Sequence, residues 1–233
     1  MRRLMLLSNS TNHGERYLAH AADEMLGLLA GCSRVLFVPF ALYDRAAYTA
    51  KFRTRLEELG KSVDQLAADA TGQRQIETAE AVFVGGGNTF RLLKTLQEAE
   101  LLAPLRARAL AGMPYLGASA GINLAGPTIR TTNDMPIVEP RGFDALGLVP
   151  FQINPHYLDP EPDSTHMGET RAERIAEFHE ENQAAVVGLR ERAWIRVDGA
   201  RGWLGGERGA CIFRRGRAPE ERTTGDALDD LLA

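Results

Sequence analysis

A serine that could act as a nucleophile lies in Gly117-Ala118-Ser119-Ala120-Gly121, which matches the pattern Gly-x-Ser-x-Gly. The apolar segment that ends at Leu116 precedes it, and residues 122–125 favour a short helix after it. In this strand–turn–helix setting, small neighbours let the chain turn sharply and present the hydroxyl at the end of a sheet. The N–H of Ala120 could then stabilise an oxyanion. The pentapeptide also fits a tight turn in which the serine only caps a helix.

A serine hydroxyl needs a base to remove its proton, and the chain has five histidines. His156 differs from the others because Gln152-Ile153-Asn154-Pro155-His156 follows an apolar segment. The catalytic end of a parallel sheet would place a loop at this point. We therefore predict that His156 is the base, with a structural or solvated histidine as the alternative.

A catalytic triad also needs an acid that orients the imidazole. The acidic residues between Ser119 and His156 are Asp134, Glu139 and Asp144. Asp134 lies in a polar loop closed by an apolar run, and its short side chain suits an orienting role, although Asp in loops often stabilises turns. The order Ser, Asp, His is that of α/β-hydrolases, but the serine and histidine are too close in sequence for that fold.

A glycine-rich segment, Val84-Gly85-Gly86-Gly87-Asn88-Thr89-Phe90, follows another predicted strand. Consecutive glycines before a helix expose backbone N–H groups, which suits a phosphate or an oxyanion. Neither nucleotide-binding pattern, Gly-x-Gly-x-x-Gly with a following acid or Gly-x-x-x-x-Gly-Lys-Ser/Thr, is present. Gly86 and Gly87 are therefore candidate oxyanion donors.

A group of possible metal ligands lies downstream of this region, but its spacing matches no zinc motif such as His-Glu-x-x-His. We expect no metal and no cofactor, and a metal-dependent hydrolase remains an alternative. The residues of this group are His156, Asp159, Asp163, His166 and Glu169.

Short apolar segments alternate with amphipathic ones through the first half of the chain, which predicts a parallel sheet covered by helices on both faces, an α/β fold. Predicted strands cover residues 3–7, 35–39, 61–66, 81–84 and 114–117, and predicted helices cover 15–29, 44–59, 73–77, 88–99 and 101–111. Residues 126–158 look irregular, a helix is expected over 168–178, and short strands over 185–189, 193–197, 202–205 and 210–213. We expect one domain, 1–233, with a core at 1–206 and C-terminal strands and tail at 207–233.

The composition is that of an ordinary globular protein: 233 residues, 44% hydrophobic and 25% charged, with a formal net charge of -4. The acidic balance argues against nucleic acid as a partner, because phosphate binding needs clustered Lys and Arg. No apolar run approaches the roughly 20 residues of a membrane span. Two distant cysteines, Cys32 and Cys211, are typical of a reducing compartment. We expect a cytoplasmic protein that acts on a small molecule.

Several motifs together resemble dipeptidase E, the α-aspartyl dipeptidase family, from the first strand to about residue 206. The twelve-residue run from Pro127 is the most specific of them. The motifs are Leu6-Leu7-Ser8-Asn9-Ser10-Thr11, Val84-Gly85-Gly86-Gly87-Asn88-Thr89-Phe90, Ser119-Ala120-Gly121, Pro127-Thr128-Ile129-Arg130-Thr131-Thr132-Asn133-Asp134-Met135-Pro136-Ile137-Val138, Gly142-Phe143-Asp144-Ala145-Leu146, Gln152-Ile153-Asn154-Pro155-His156 and Gly168-Glu169-Thr170-Arg171.

The resemblance implies a serine peptidase that cleaves dipeptides with an N-terminal aspartate. Its fold would be a three-layer sandwich around a parallel sheet, similar to class I glutamine amidotransferases. Ser119 would be the nucleophile, His156 the base and then the acid, and Asp134 the orienting acid, although relatives such as cyanophycinase use a glutamate. Ala118 departs from the bulkier aromatic of some members.

The resemblance also implies the roles of binding groups. Gly87 and Ala120 would donate N–H groups to the oxyanion, and Asn88 would lie at the substrate. Arg171 would bind the aspartyl carboxylate of the substrate, for which a guanidinium is suited. The alternative for Arg171 is a solvated helix residue paired with Glu169 or Glu173.

Two other functions and two assemblies remain open at this point. One is a cyanophycinase-like hydrolase of β-linked Asp-Arg units, and the other is a non-catalytic ligand-binding or amidotransferase-like module. The chain would act as a monomer or a homodimer.

Overall fold

The first half of the chain alternates strands and helices in the computed structural model, which describes residues 1–160 and 167–233. The longest helix within these ranges has 14 residues, and none of them combines the length and apolar character needed to cross a bilayer. The elements are β1 Arg3–Leu7, α1 Ala22–Leu28, β2 Arg34–Val38, α2 Arg45–Glu58, β3 Ser62–Gln65, α3 Ala70–Thr78, β4 Val82–Val84, α4 Thr89–Glu98, α5 Leu102–Ala111, β5 Tyr115–Ala118 and α6 Ala120–Ala125.

The second half contains more strands than helices. After an irregular stretch the elements are β6 Gln152–Tyr157, α7 Arg171–Glu181, β7 Val186–Arg190, β8 Ala193–Asp198, β9 Arg201–Gly206, β10 Ala210–Phe213, β11 Glu220–Arg222 and α8 Asp229–Leu232.

Two sheets form the framework. The larger sheet has the order β3-β2-β4-β5-β1-β8-β9, in which β1 to β5 are parallel and β8 and β9 are antiparallel additions. The smaller sheet has the order β11-β10-β7-β6, with β6 and β7 parallel. The expected α/β fold with three layers is confirmed.

The central strands are apolar on both faces because helices cover both faces of the larger sheet. Side chains alternate along β1, so Leu4 and Leu6 join the core that contains α4 and α5, while Met5 and Leu7 pack on the side of α1 and α2. Phe52 of α2 stacks on Phe37 of β2 with ring centroids 4.1 Å apart. These layers hold the carboxyl ends of β1, β4 and β5 side by side.

Several predicted boundaries differ from the structure, and two of these differences have a clear physical reason. The helix expected from residue 15 begins only at Ala22, after a 3-10 turn over Ala19–Ala21, because Leu18 adopts a φ of 56° and its N–H donates to the Ser10 carbonyl. Strand β6 lies inside the stretch predicted to be irregular. Its residues do not alternate between buried apolar and exposed polar side chains, since Gln152 and Asn154 are buried as well.

Candidate active site

Ser119 lies at a sharp turn between β5 and α6, as the Gly-x-Ser-x-Gly pattern predicts. Its φ of 51° and ψ of -109° are strained for a residue with a side chain, which is typical of functional turns. The Ser119 N–H donates to the Leu7 carbonyl at 3.1 Å, so strand β1 holds the turn. Gly121 is required because a Cβ there would overlap the Val84 carbonyl oxygen.

His156 reaches the serine, since its Nε2 lies 2.9 Å from the Ser119 Oγ. It belongs to strand β6 and not to a loop beyond a strand, which corrects the predicted placement. The register with β7 shifts between Pro155 and Tyr157, and His156 at this bulge has a φ of 53°. Bulges of this kind redirect a side chain. The strained backbone turns the imidazole towards the nucleophile.

Glu191 is the acid that contacts the histidine. Its Oε1 lies 2.7 Å from His156 Nδ1. Because a carboxylate only accepts hydrogen bonds, Nδ1 carries the proton and Nε2 is left to accept the hydrogen of the serine hydroxyl. Glu191 lies in the turn after β7, outside the segment between Ser119 and His156 in which the sequence prediction placed the acid.

Asp134 does not make the predicted contact with His156. Its Oδ2 accepts hydrogen bonds from the Thr89 N–H at 2.7 Å, the Thr89 hydroxyl at 2.5 Å and the Thr132 hydroxyl at 3.0 Å. The carboxylate therefore lies at the N-terminus of α4, where it meets backbone and hydroxyl donors. The predicted orienting contact is wrong, and Glu191 occupies that position.

The glycine-rich loop packs directly against the nucleophile. A Cβ on Gly86 would lie 3.1 Å from the Ser119 Cβ. Gly87 has a φ of 133°, and a Cβ on it would lie 2.7 Å from the Ala41 carbonyl oxygen, so only glycine fits there. The loop therefore brings its backbone to the serine because it has no side chains.

Two N–H groups beside Ser119 are available to an oxyanion. Burial raises the pKa of the nearby Tyr48 phenol, and the Gly86 N–H opposes this effect. In residues 1–160 and 167–233, neither the Gly87 N–H nor the Ala120 N–H has a hydrogen-bond acceptor. Donation from Gly87 and Ala120 to an oxyanion stays a prediction, with Gly86 as a third candidate.

Asn88 is largely committed to local structure. Its Oδ1 accepts from the Arg91 N–H at 3.0 Å, which caps α4, and its Nδ2 donates to the Met135 carbonyl at 2.8 Å. A contact of Asn88 with substrate stays a prediction.

Arg171 is the first residue of α7 and is half-buried, and burial lowers the pKa of its guanidinium. The two carboxylates considered as alternative partners are engaged elsewhere. Glu169 pairs with Arg174 at 3.4 Å, and Glu173 accepts the Thr170 N–H in a capping box at the start of α7. Within the described parts of the chain, no ion pair involves Arg171.

The residues considered as metal ligands do not form one group in the described structure. His156 contacts Ser119 and Glu191, whereas Asp159 pairs with Arg190 at 2.6 Å. Asp163 and His166 lie outside the described residues.

Comparisons with known proteins show the family and the fold of the chain. The model of peptidase family S51 matches residues 4–204. A protein named Peptidase E from Streptomyces coelicolor is 55% identical over 229 residues, which are 98% of this chain and 94% of the relative. A probable alpha-aspartyl dipeptidase from Drosophila melanogaster is 48% identical over 94% of this chain and 93% of its own. The crystal structure of a peptidase from an acI-B1 Actinobacterium shares the fold, with a TM-score of 0.74 at 17% identity over 98% of this chain and 96% of its own.

Proposed function

The chain belongs to peptidase family S51, and from this premise we propose that it is a serine dipeptidase that hydrolyses dipeptides with an N-terminal aspartate. One observation carries the proposal: Ser119, His156 and Glu191 form a continuous series of contacts of 2.9 Å and 2.7 Å at a strained turn. The names of the relatives, Peptidase E and probable alpha-aspartyl dipeptidase, support the substrate class.

The reaction begins when His156 Nε2 removes the proton of the Ser119 hydroxyl as Oγ attacks the carbonyl carbon of the Asp-Xaa bond. The carbonyl oxygen becomes an oxyanion that accepts hydrogen bonds from the Gly87 and Ala120 N–H groups. Glu191 stabilises the imidazolium that forms. His156 then protonates the amine of Xaa, the C–N bond breaks, and an aspartyl ester on Ser119 remains.

Hydrolysis of this ester completes the cycle. His156 removes a proton from a water molecule, which attacks the same carbonyl carbon. The second oxyanion collapses, Ser119 recovers its proton from His156, and aspartate leaves. The two half-reactions use the same groups in reverse order, so no cofactor is needed.

Arg171 supplies the selectivity for aspartate in this proposal. Its guanidinium would bind the β-carboxylate of the substrate in a bidentate manner. Two observations support this role: the side chain is half-buried at the start of α7, and both nearby glutamates have other partners.

The test is a substrate panel of Asp-Leu, Glu-Leu, Asn-Leu and β-Asp-Arg with the wild type, Ser119→Ala and Arg171→Ala. We expect Asp-Leu to be the best substrate, Ser119→Ala to abolish its hydrolysis, and Arg171→Ala to lower the preference for Asp-Leu over Asn-Leu. Arg174→Ala is the matched control, because it removes an exposed arginine of the same helix that pairs with Glu169.

Three results would contradict the proposal. Full activity of Ser119→Ala would exclude the serine mechanism, and preference for β-Asp-Arg would indicate the cyanophycinase-like reaction. Binding of Asp-Leu without turnover would indicate a ligand-binding module.

The proposal also covers the cellular compartment and the assembly of the enzyme. We place it in the cytoplasm because both cysteines, Cys32 and Cys211, are buried free thiols. A monomer and a homodimer are both compatible with the proposal.

A further inference from the structure

Asp134 joins its own loop to the start of α4, which follows the glycine-rich loop that packs against the nucleophile. Its carboxylate accepts the three hydrogen bonds from Thr89 and Thr132 described above. One residue further along, the Met135 carbonyl accepts from the Asn88 side chain at 2.8 Å. Residues 132–135 are thus attached to residues 88 and 89, which directly follow the Gly85-Gly86-Gly87 loop.

The position of the carboxylate suits its charge. Thr89 is the first residue of α4, a helix of 10 residues, so its N–H has no acceptor within the helix. Asn88 caps the Arg91 N–H, and Asp134 accepts the Thr89 N–H. An anion at a helix N-terminus is also favoured by the helix dipole. Asp134 therefore completes the cap of α4 from a distant part of the chain.

The same contacts extend towards the second oxyanion donor. The Thr89 hydroxyl also accepts a long hydrogen bond from the Asn123 side chain at 3.4 Å, and both residues are buried. Asn123 belongs to α6, the helix whose first N–H is that of Ala120. The Asp134 carboxylate is thus connected to α4 directly and to α6 through the Thr89 hydroxyl.

We propose that Asp134 is a positioning residue for the oxyanion site: by anchoring the N-terminus of α4 it holds the Gly87 N–H against Ser119. This role is separate from the orientation of His156, which Glu191 performs. The inference rests on the proposed function only where hydrolysis is the measurement.

The first test measures kcat, KM and the pH–rate profile for Asp-Leu with Asp134→Ala, Asp134→Asn and Thr89→Val. Loss of an oxyanion donor costs about 100- to 1,000-fold in kcat, and we expect Asp134→Ala to approach this range with little change in KM. Asp134→Asn keeps an oxygen that can accept the Thr89 N–H, and Thr89→Val keeps that N–H, so both should lose less. The acidic limb of the profile should stay in place in all three.

The second test does not depend on turnover. Amide hydrogen exchange of residues 86–91 should become faster in Asp134→Ala while exchange in β1 and β5 stays as in the wild type. The control for both tests is Glu139→Gln, which removes an exposed carboxylate of the same loop and should match the wild type.

Two other results with the Asp134 variants would overturn the inference. Unchanged kcat in Asp134→Ala, or a large rise in KM with kcat retained, would exclude positioning of the oxyanion donors. A shift of the acidic limb with unchanged exchange would make Asp134 part of the proton transfer. If the wild type does not hydrolyse Asp-Leu, the proposed function fails, and the exchange measurement alone decides the role of Asp134.

Discussion

Replacing Glu191 by glutamine isolates the charge of the residue that contacts His156 Nδ1. The side chain keeps its length, and its amide oxygen can still accept the Nδ1 proton across the 2.7 Å contact. What disappears is the attraction between the carboxylate and the imidazolium that forms when Ser119 loses its proton. The variant should therefore lose transition-state stabilisation while its fold is retained.

The exposure of the pair sets the size of this loss. Unit charges about 4 Å apart attract by about 1 kcal/mol in bulk water and by about 4 kcal/mol at an effective dielectric constant of about 20. The side chains of His156 and Glu191 are 38% and 54% exposed, so solvent screens them substantially. We expect a loss of about 1–3 kcal/mol, which is roughly 5- to 150-fold in kcat/KM.

The assay is steady-state hydrolysis of Asp-Leu by the wild type and Glu191→Gln at low and high salt. Because salt screens exposed charges, the ratio of the two kcat/KM values should shrink as salt is added. Glu207→Gln is the matched control, since it removes an exposed carboxylate that pairs with Arg192 beside Glu191. Wild-type kcat/KM in Glu191→Gln at low salt would refute the reasoning, because the charge would then contribute nothing to the reaction.

Three further predictions concern the backbone of the site, the reactivity of the thiols and the pH dependence of stability. Buried Ser8 accepts the His156 N–H at 2.9 Å and donates to the Leu189 carbonyl at 2.8 Å, so Ser8→Ala leaves both groups unpaired. We expect the free energy of unfolding in urea to fall by roughly 1–3 kcal/mol and kcat to fall as well. Wild-type values of both quantities would contradict this prediction. Burial raises the pKa of Cys211 to about 12 and also raises that of Cys32, so iodoacetamide should modify both thiols slowly in the native protein and rapidly in urea. Because the folded pKa of Cys211 lies above the unfolded one, its contribution to stability is full below about pH 8.5 and is lost as the pH rises towards 12, which urea titrations across this range would detect.

The sequence alone determined the features that depend on neighbouring residues. Gly117 and Gly121 around Ser119 predict the sharp turn, since only small residues fit where the chain reverses against β4. The apolar runs of β1, β2, β4 and β5 predict strands buried on both faces, because nearly every residue of such a strand meets a helix layer. The Gly-rich loop at residues 85–87 predicts N–H groups that no side chain obstructs, because glycine has no side chain.

The tertiary structure decided which carboxylate serves which group. Glu191 meets His156 because β6 pairs with β7 and the chain turns into β8 immediately afterwards, a juxtaposition of strands that no local pattern encodes. Asp134 lies in an irregular stretch without periodicity, so its distance from Thr89 depends on how that stretch folds over α4. A carboxylate accepts hydrogen bonds from the donors that lie within about 3 Å of its oxygens in the folded chain. The order of residues in the sequence does not determine the distance between a carboxylate and a donor.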